Sequence, residues 1–120
     1  MYATRRRTRA RGARTGGGRP GSAGRLGTVL AHPLRLAILE RLVERPRIVS
    51  DLIAALSESQ PEISKQLATL RHAGLLDCAP DGRCRMYRLA NPRAVRRVLR
   101  ALEALAAVSR ARVDLPVAAG

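Results

Sequence analysis

Residues 59–67 read Ser-Gln-Pro-Glu-Ile-Ser-Lys-Gln-Leu, and their start is the clearest local signal in the sequence. The first four residues form a capping box, in which Ser59 and Glu62 can each satisfy an unpaired backbone amide of the other. Pro61 fits the first turn of a helix, where its missing N–H would have no partner in any case. The sequence therefore predicts a helix that starts at this box.

The helix predicted after the capping box has one apolar and one polar side. Ile63, Leu67 and Leu70 follow one another at spacings of four and three residues, so we expect them to face a core. Gly74 is the residue expected to cap the C-terminal end. The opposite side is predicted to carry Pro61, Glu62, Lys65, Thr69 and His72.

Two shorter helices are predicted before this one. Pro33 suits the first turn of a helix, and apolar residues then recur at helical spacing until Pro46, which is expected to end it. An extended piece over residues 47–49 leads to Ser50, a good N-cap for a brief helix over residues 51–56. The polar turn 57–59 joins this helix to the next. The pair is typical of a helix-turn-helix, whose second helix enters the major groove of DNA.

A β-hairpin is predicted after the third helix. Apolar runs over residues 75–78 and 84–89 flank an Asp81-Gly82 pair, which is a strong hairpin signal and indicates a two-stranded wing. Cys78 and Cys84 bracket the turn. A two-residue Asp81-Gly82 turn would place them on opposite faces, whereas a three- or five-residue loop would place them directly across from each other. They are either a redox switch or two small hydrophobic residues in a reducing cytosol.

A long final helix is predicted from the Asn91-Pro92 cap to about residue 107. Its polar face carries four arginines, and its apolar stripe is longer than the interior of so small a domain can cover. We therefore expect a second copy of the chain to cover the stripe, the alternative being that it packs only within the monomer. The residues predicted for this dimer interface are Val95, Val98, Leu99, Leu102 and Leu105.

The charge balance indicates a polyanionic partner. Lys and Arg outnumber Asp and Glu by 23 to 9, which gives a net charge of +14 over 120 residues. Release of counterions from phosphates favours nucleic acid as the partner, ahead of a membrane surface or of charge that serves solubility alone. Because no apolar run is long enough to span a bilayer, we expect a cytoplasmic protein.

Composition also divides the chain into three predicted parts. Residues 1–25 combine eight arginines with a Gly-rich run and no acidic residue, so we expect a disordered basic arm. Residues 26–107 form the predicted DNA-binding and dimerisation domain, which must rest on an aliphatic core because Phe and Trp are absent. Residues 108–120 are expected to be a frayed tail.

Several of these segments together resemble the ArsR/SmtB family of bacterial repressors. Residues 30–39 (Leu-Ala-His-Pro-Leu-Arg-Leu-Ala-Ile-Leu) resemble its opening helix, residues 49–52 and 59–67 its helix-turn-helix, and residues 70–76, 81–83 and 87–89 its wing. The resemblance covers about residues 26–107 and is specific as a combination. It implies a mainly α winged helix-turn-helix with a small β-hairpin, dimerised through its terminal helices. It also implies a repressor that leaves its operator in double-stranded DNA when an inducer binds.

The resemblance places DNA contacts on the predicted recognition helix. Its polar side chains have suitable chemistry, since Gln reads adenine, Lys reaches guanine or phosphate, and Glu accepts from cytosine. The arginines of the wing and of the end of the helix are better suited to phosphates. The expected base-reading residues are Gln60, Pro61, Glu62, Ser64, Lys65, Gln66 and Thr69, and the expected phosphate contacts are Arg71, Arg83 and Arg85.

Neither familiar metal site of the family is expected. Ile48 and Ser50 occupy the positions of the thiolate site of the arsenic and cadmium sensors, and Glu103 alone represents the carboxylate and histidine site of the final helix. We therefore expect no metal and no other cofactor, and the inducer stays unidentified.

Two other classes of function are less consistent with the sequence. A non-specific basic nucleic-acid-coating protein would be equally cationic, but its binding should not survive competitor DNA at physiological salt. An enzyme is not expected, since no nucleophile with an adjacent base, no carboxylate pair and no phosphate-binding Gly loop is found in the sequence.

Overall fold

The computed structural model describes residues 21–114, in which helices outnumber strands. The predicted class, mainly α with a small β-sheet, is confirmed. In chain order the elements are α1 (Ser22–Leu30), α2 (Pro33–Glu44), β1 (Arg47–Ile48), α3 (Val49–Leu56), α4 (Gln60–His72), β2 (Leu76–Asp81), β3 (Cys84–Leu89) and α5 (Pro92–Asp114).

The core is aliphatic throughout, as the composition predicts. Helices α2, α3, α4 and α5 contribute one face each, and the sheet contributes one residue from β2 and one from β3. No aromatic ring is among the fully buried hydrophobic residues of the described part. The buried set consists of Ile38, Leu39, Leu42, Leu52, Ile63, Leu67, Leu70, Leu76, Leu89, Val95 and Leu99.

The sheet has three antiparallel strands in the order β1-β3-β2, rather than the two predicted. The added strand is β1, in which Arg47 pairs with Tyr87 and Ile48 with Met86. Two residues are too short for an alternating pattern to be visible. The pairing also joins segments about forty residues apart, so no local signal in the sequence indicates it.

The wing turn lies one residue later than predicted. Asp81 pairs with Cys84, so the two turn residues are Gly82 and Arg83. Gly82 has a φ of +66°, which suits the first central position of a type II′ turn, where glycine is favoured.

This register separates the two cysteines. Cys78 lies opposite Tyr87 and Cys84 lies opposite Asp81, so the thiols are three pairs apart along the ribbon and on opposite faces. Of the two arrangements considered for the turn, the one that places the cysteines on opposite faces is observed, and this register does not allow a disulfide between them. Both cysteines are free thiols, and redox reactivity of either one alone stays a prediction.

Helix α3 starts earlier than predicted. Helix α3 begins at Val49, so Ser50 lies inside its first turn and Ile48 precedes it without a side-chain cap. The helix starts there because β1 ends at Ile48, and Asp51 in the first turn complements the helix dipole.

A helix that was not predicted lies at the start of the described residues, and the final helix is longer than predicted. Helix α1 begins at Ser22, so residues 22–25 are helical, and the rest of the predicted arm lies outside the described residues. Helix α5 continues to Asp114 instead of ending near residue 107, and residues 115–120 of the predicted tail lie outside the described part. Among residues 21–114, no helix is both long enough and apolar enough to cross a bilayer.

Candidate nucleic-acid interface

Helix α4 begins at the predicted cap, but only half of the capping box forms. The Ser59 hydroxyl oxygen accepts a hydrogen bond from the Glu62 amide at 3.3 Å, which satisfies one free donor of the first turn. The Glu62 carboxylate does not return the bond to Ser59. Its Oε2 instead accepts from Nε2 of Gln66 at 2.7 Å. The Ser59 cap therefore fixes where the helix starts, while the Glu62 carboxylate bonds to Gln66 instead of completing the box.

The C-terminal end of α4 confirms the role predicted for Gly74. The Gly74 amide donates to the Arg71 carbonyl at 2.9 Å, and the Leu75 amide donates to the Leu70 carbonyl at 3.0 Å. These two bonds form a Schellman motif, and the φ of +82° at Gly74 is the left-handed conformation that such a motif requires. Both ends of α4 are thus fixed, and the chain turns directly into the wing.

The two faces of α4 divide as the spacing predicts. Ile63, Leu67 and Leu70 are buried in the core. The outer face is polar and continuous. Thr69 on its edge is half-buried, and its hydroxyl donates to the Lys65 carbonyl at 3.2 Å. Exposed side chains of the outer face are Gln60, Pro61, Ser64, Lys65, Ala68, Arg71 and His72.

Gln66 is the one predicted base-reading residue that the structure removes from this face. Its side chain is only 2% exposed. Its carbonyl oxygen accepts from Nε of Arg35 at 2.7 Å, and its amide nitrogen donates to Glu62. The sequence holds a signal for this, because position 66 follows Ile63 by three residues and precedes Leu70 by four, which is the core side of a helix.

Arg35 is a residue of this region that the sequence analysis did not single out. It lies on α2, and besides Gln66 it contacts the Val29 carbonyl, to which Nη1 donates at 2.9 Å. The contact with Gln66 joins residues 31 positions apart, so periodicity along the chain cannot indicate it.

The two predicted phosphate-binding arginines of the wing are both exposed. Arg83 lies in the turn itself. Arg85 follows on β3, where its Nη1 donates to Sγ of Cys78 at 3.1 Å. This hydrogen bond raises the pKa of Arg85 above its usual value. Lys65 and Arg71 are exposed on α4 as well, so both the recognition helix and the wing carry exposed positive charge.

The predicted dimer-interface residues fall into two groups. Val95 and Leu99 are buried within the chain, where α5 packs against α2. The other three are exposed, Val98 by 42%, Leu102 by 39% and Leu105 by 64%. The rest of the described chain therefore leaves these three side chains uncovered, and their role in a dimer interface stays a prediction.

No group of three or more His, Cys, Asp or Glu side chains within residues 21–114 is arranged to hold a metal ion.

Comparison with known proteins places this architecture among transcription factors. Residues 30–79 match the model of a helix-turn-helix domain family. The chain is 42% identical over 64 residues to the uncharacterised HTH-type transcriptional regulator Rv0081 of Mycobacterium tuberculosis, a match over 52% of this chain and 56% of that protein. It is 41% identical over 70 residues to the HTH-type transcriptional repressor SmtB of the same organism, over 58% and 52% of the two chains. The matched region thus spans about half the length of these curated relatives.

Solved structures extend the likeness over more of the fold. The crystal structure of M. tuberculosis Rv0081 superimposes with a TM-score of 0.67 at 36% identity, covering 76% of this chain and 92% of that one. The solution structure of the homodimeric winged helix-turn-helix DNA-binding domain of Mb0332 from Mycobacterium bovis, a possible ArsR-family regulator, gives 0.66 at 25% identity over 80% and 88%. The similarity therefore includes the helix-turn-helix, the wing and the terminal helices.

Proposed function

Because the chain belongs to the ArsR/SmtB family of winged helix-turn-helix transcriptional regulators, we propose that it is a homodimeric repressor of transcription. In this proposal it binds a specific operator in double-stranded DNA and leaves it when an inducer binds. The observation that carries the proposal is the continuous, exposed polar face of α4, which is held between a fixed cap and a Schellman motif.

The side chains of that face divide by the base edges they can read. Gln60 is suited to adenine, Lys65 to guanine or phosphate, and Ser64 and Thr69 to either donors or acceptors. The ring of Pro61 offers an apolar contact for a thymine methyl group. We propose these five residues, with Glu62, as the base-reading set.

Backbone contacts are proposed for the arginines around this face. Arg71 lies in the last turn of α4, and Arg83 and Arg85 lie on the wing, so these cations are placed on two separate elements. Guanidinium groups bind phosphates through two parallel hydrogen bonds, which position a protein on DNA without reading its sequence.

The inducer is proposed to act without the two familiar metal sites of the family. Ile48 is an apolar residue at the end of β1, and Ser50 is a hydroxyl residue in the first turn of α3, so neither supplies a thiolate. On α5, Glu103 is exposed. We propose no other cofactor.

The test is a titration of the purified chain against DNA from its own upstream region and against a random duplex of equal length. In about 150 mM salt with excess competitor, we expect selective binding to the upstream DNA. Equal binding of both duplexes would instead support a non-specific coating protein. Parallel titrations with metals and with oxidants identify the inducer class through the additive that releases the DNA.

Lys65 permits a direct test of the reading face, since it is the only lysine in the sequence. Acetylation by an amine-directed reagent then reports on this side chain and the N-terminal amine alone. We expect upstream DNA, but not the random duplex, to protect Lys65 from acetylation, as measured by mass spectrometry. Lys65→Ala should weaken specific binding by about tenfold or more. Arg97→Ala, which removes the same charge from the polar face of α5, is the matched control and should have a much smaller effect.

A further inference from the structure

Three side chains form a continuous polar chain from α2 to the first turn of α4. Arg35 donates from Nε to Oε1 of Gln66 at 2.7 Å, and Gln66 donates from Nε2 to Oε2 of Glu62 at 2.7 Å. Arg35 also donates to the carbonyl of Val29, near the end of α1, at 2.9 Å. Arg35 on α2 therefore bonds both to α1 and to the recognition helix, and the amide of Gln66 passes this contact on to Glu62.

The chemistry of its two neighbours fixes the orientation of this amide. A guanidinium only donates hydrogen bonds and a carboxylate only accepts them, so the amide oxygen must face Arg35 and the amide nitrogen must face Glu62. Both bonds involve an ionised partner, which makes them shorter and stronger than bonds between neutral groups. Because Gln66 is 2% exposed, water cannot replace either partner if one is lost.

The far end of the chain lies on the proposed DNA-reading face. Glu62 is half-buried in the first turn of α4, where the positive end of the helix dipole favours an anion. Gln66 holds one carboxylate oxygen, which leaves Oε1 to accept a hydrogen bond from a base edge. A carboxylate can accept from the amino group of cytosine, whereas it repels phosphates. The angle at which Glu62 is held therefore affects which base pair fits against it.

We propose that Arg35 and Gln66 are positioning residues that set the base preference of Glu62. The proposal rests on the proposed function, because it assigns the origin of sequence preference at one position of the operator. Neither residue contacts DNA. Arg35 fixes the Gln66 amide, and Gln66 fixes the carboxylate that reads the base.

The test compares base preferences position by position. The wild-type chain selects a duplex from a random library, and the Kd is then measured for every single-base-pair variant of that duplex. Gln66→Met keeps the length and burial of the side chain but removes both hydrogen bonds. Arg35→Lys keeps the charge, but an ammonium group lacks the planar set of donors with which the guanidinium binds Gln66 and the Val29 carbonyl together. We expect both variants to lose about tenfold of the preference at one base-pair position while keeping the wild-type ranking elsewhere.

A matched control and a double variant separate positioning from simple destabilisation. Arg47 is a second arginine with two hydrogen bonds, one to the Arg41 carbonyl and one to the Glu44 carboxylate, and neither of these bonds reaches α4. Arg47→Lys should lower the unfolding temperature without changing base preference. Glu62→Gln should relax the same position as Gln66→Met, and adding Gln66→Met to Glu62→Gln should relax it no further.

The outcomes are distinguishable. If folded Gln66→Met and Arg35→Lys keep the wild-type preferences, or lose affinity equally at all positions, the positioning role is overturned while the repressor function stands. If Gln66→Met does not fold, Arg35→Lys decides by the same comparison. If the wild-type chain selects no sequence from the library, the proposed function fails, and the positioning role fails with it.

Discussion

Tyr87 lies on the central strand β3, between the sheet and the core, and its side chain is titratable. It pairs with Arg47 of β1 on one side and with Cys78 of β2 on the other, and its ring packs against the buried aliphatic cluster. Burial is the main cause that raises the pKa of Tyr87 above 10.0, and the neighbouring Cys78 adds to it. The folded state therefore favours the neutral phenol.

The direction of this shift predicts how stability depends on pH. The stabilising contribution of Tyr87 is fully present below the unfolded pKa of about 10 and is lost as the pH rises through the higher folded value. The only other tyrosine in the sequence is Tyr2, so the Tyr2→Phe variant has a single phenol. Its phenolate absorbance should titrate with a midpoint above 10, and the same variant unfolded in urea should titrate near 10. Equal midpoints would contradict the burial argument.

The residues of the candidate site show what local spacing can and cannot predict. The exposure of Pro61, Lys65 and His72 follows from helical periodicity alone, and that expectation is confirmed. The same periodicity places Gln66 on the buried side. The family resemblance instead predicts that Gln66 reads a base, and this prediction is wrong because the side chain is buried. Arg35 was missed for a different reason, because its contact depends on how α2 crosses α4.

At the scale of the elements, the cap of α4 has an effect that is separable from DNA binding. Ser59 accepts a hydrogen bond from the Glu62 amide at 3.3 Å, and its own exposure means that no packing is lost when the hydroxyl is removed. Ser59→Ala should lower the free energy of unfolding by about 1 kcal/mol, as replaced N-caps do. Urea denaturation followed by circular dichroism measures the change.

Ser64→Ala provides the matched control for the cap. It makes the same substitution at an exposed position inside the same helix, where alanine has the higher helix propensity. This variant should be as stable as the wild type or slightly more stable. Equal losses of stability in both variants would show that the hydroxyl of Ser59 has no special role as a cap.

Elements with strong local chemistry were predicted well, and elements defined by pairing were not. The Ser59 cap, Gly74 and the wing runs of residues 75–78 and 84–89 each contain the residues that their local structure needs. By contrast, β1 exists only because residues 47 and 48 lie beside β3 in the folded chain. The early start of α3 follows from the same pairing. The unpredicted contact between β1 and β3 therefore accounts both for the third strand and for the shifted start of α3.

At the scale of the whole molecule, α5 has more apolar surface than this chain covers. Val98, Leu102 and Leu105 are exposed on one side of the helix, next to the buried Val95 and Leu99. Val108 continues the same surface with 57% exposure. Exposed apolar stripes of this kind mark sites of association, and the homodimeric neighbour Mb0332 shows that the fold supports a symmetric pair.

Dimerisation through this stripe predicts a position-dependent effect of one added charge. Leu105→Glu places a carboxylate within the stripe, where pairing would desolvate it, so we expect the dimer to dissociate at micromolar concentration. Ala104→Glu adds the same charge to the neighbouring exposed position outside the stripe and should leave the dimer intact. Sedimentation velocity measures both.

The same two variants connect assembly to operator binding. A dimer contacts two half-sites one helical turn apart, so a monomeric Leu105→Glu chain should lose the dependence of its affinity on half-site spacing. It should still bind a single half-site through an unchanged α4. A dimeric Leu105→Glu, or a wild-type chain that sediments as a monomer, would show that the stripe is not a dimer interface. If Leu105→Glu loses both dimerisation and half-site binding, the second chain is instead needed to hold the recognition helix in place.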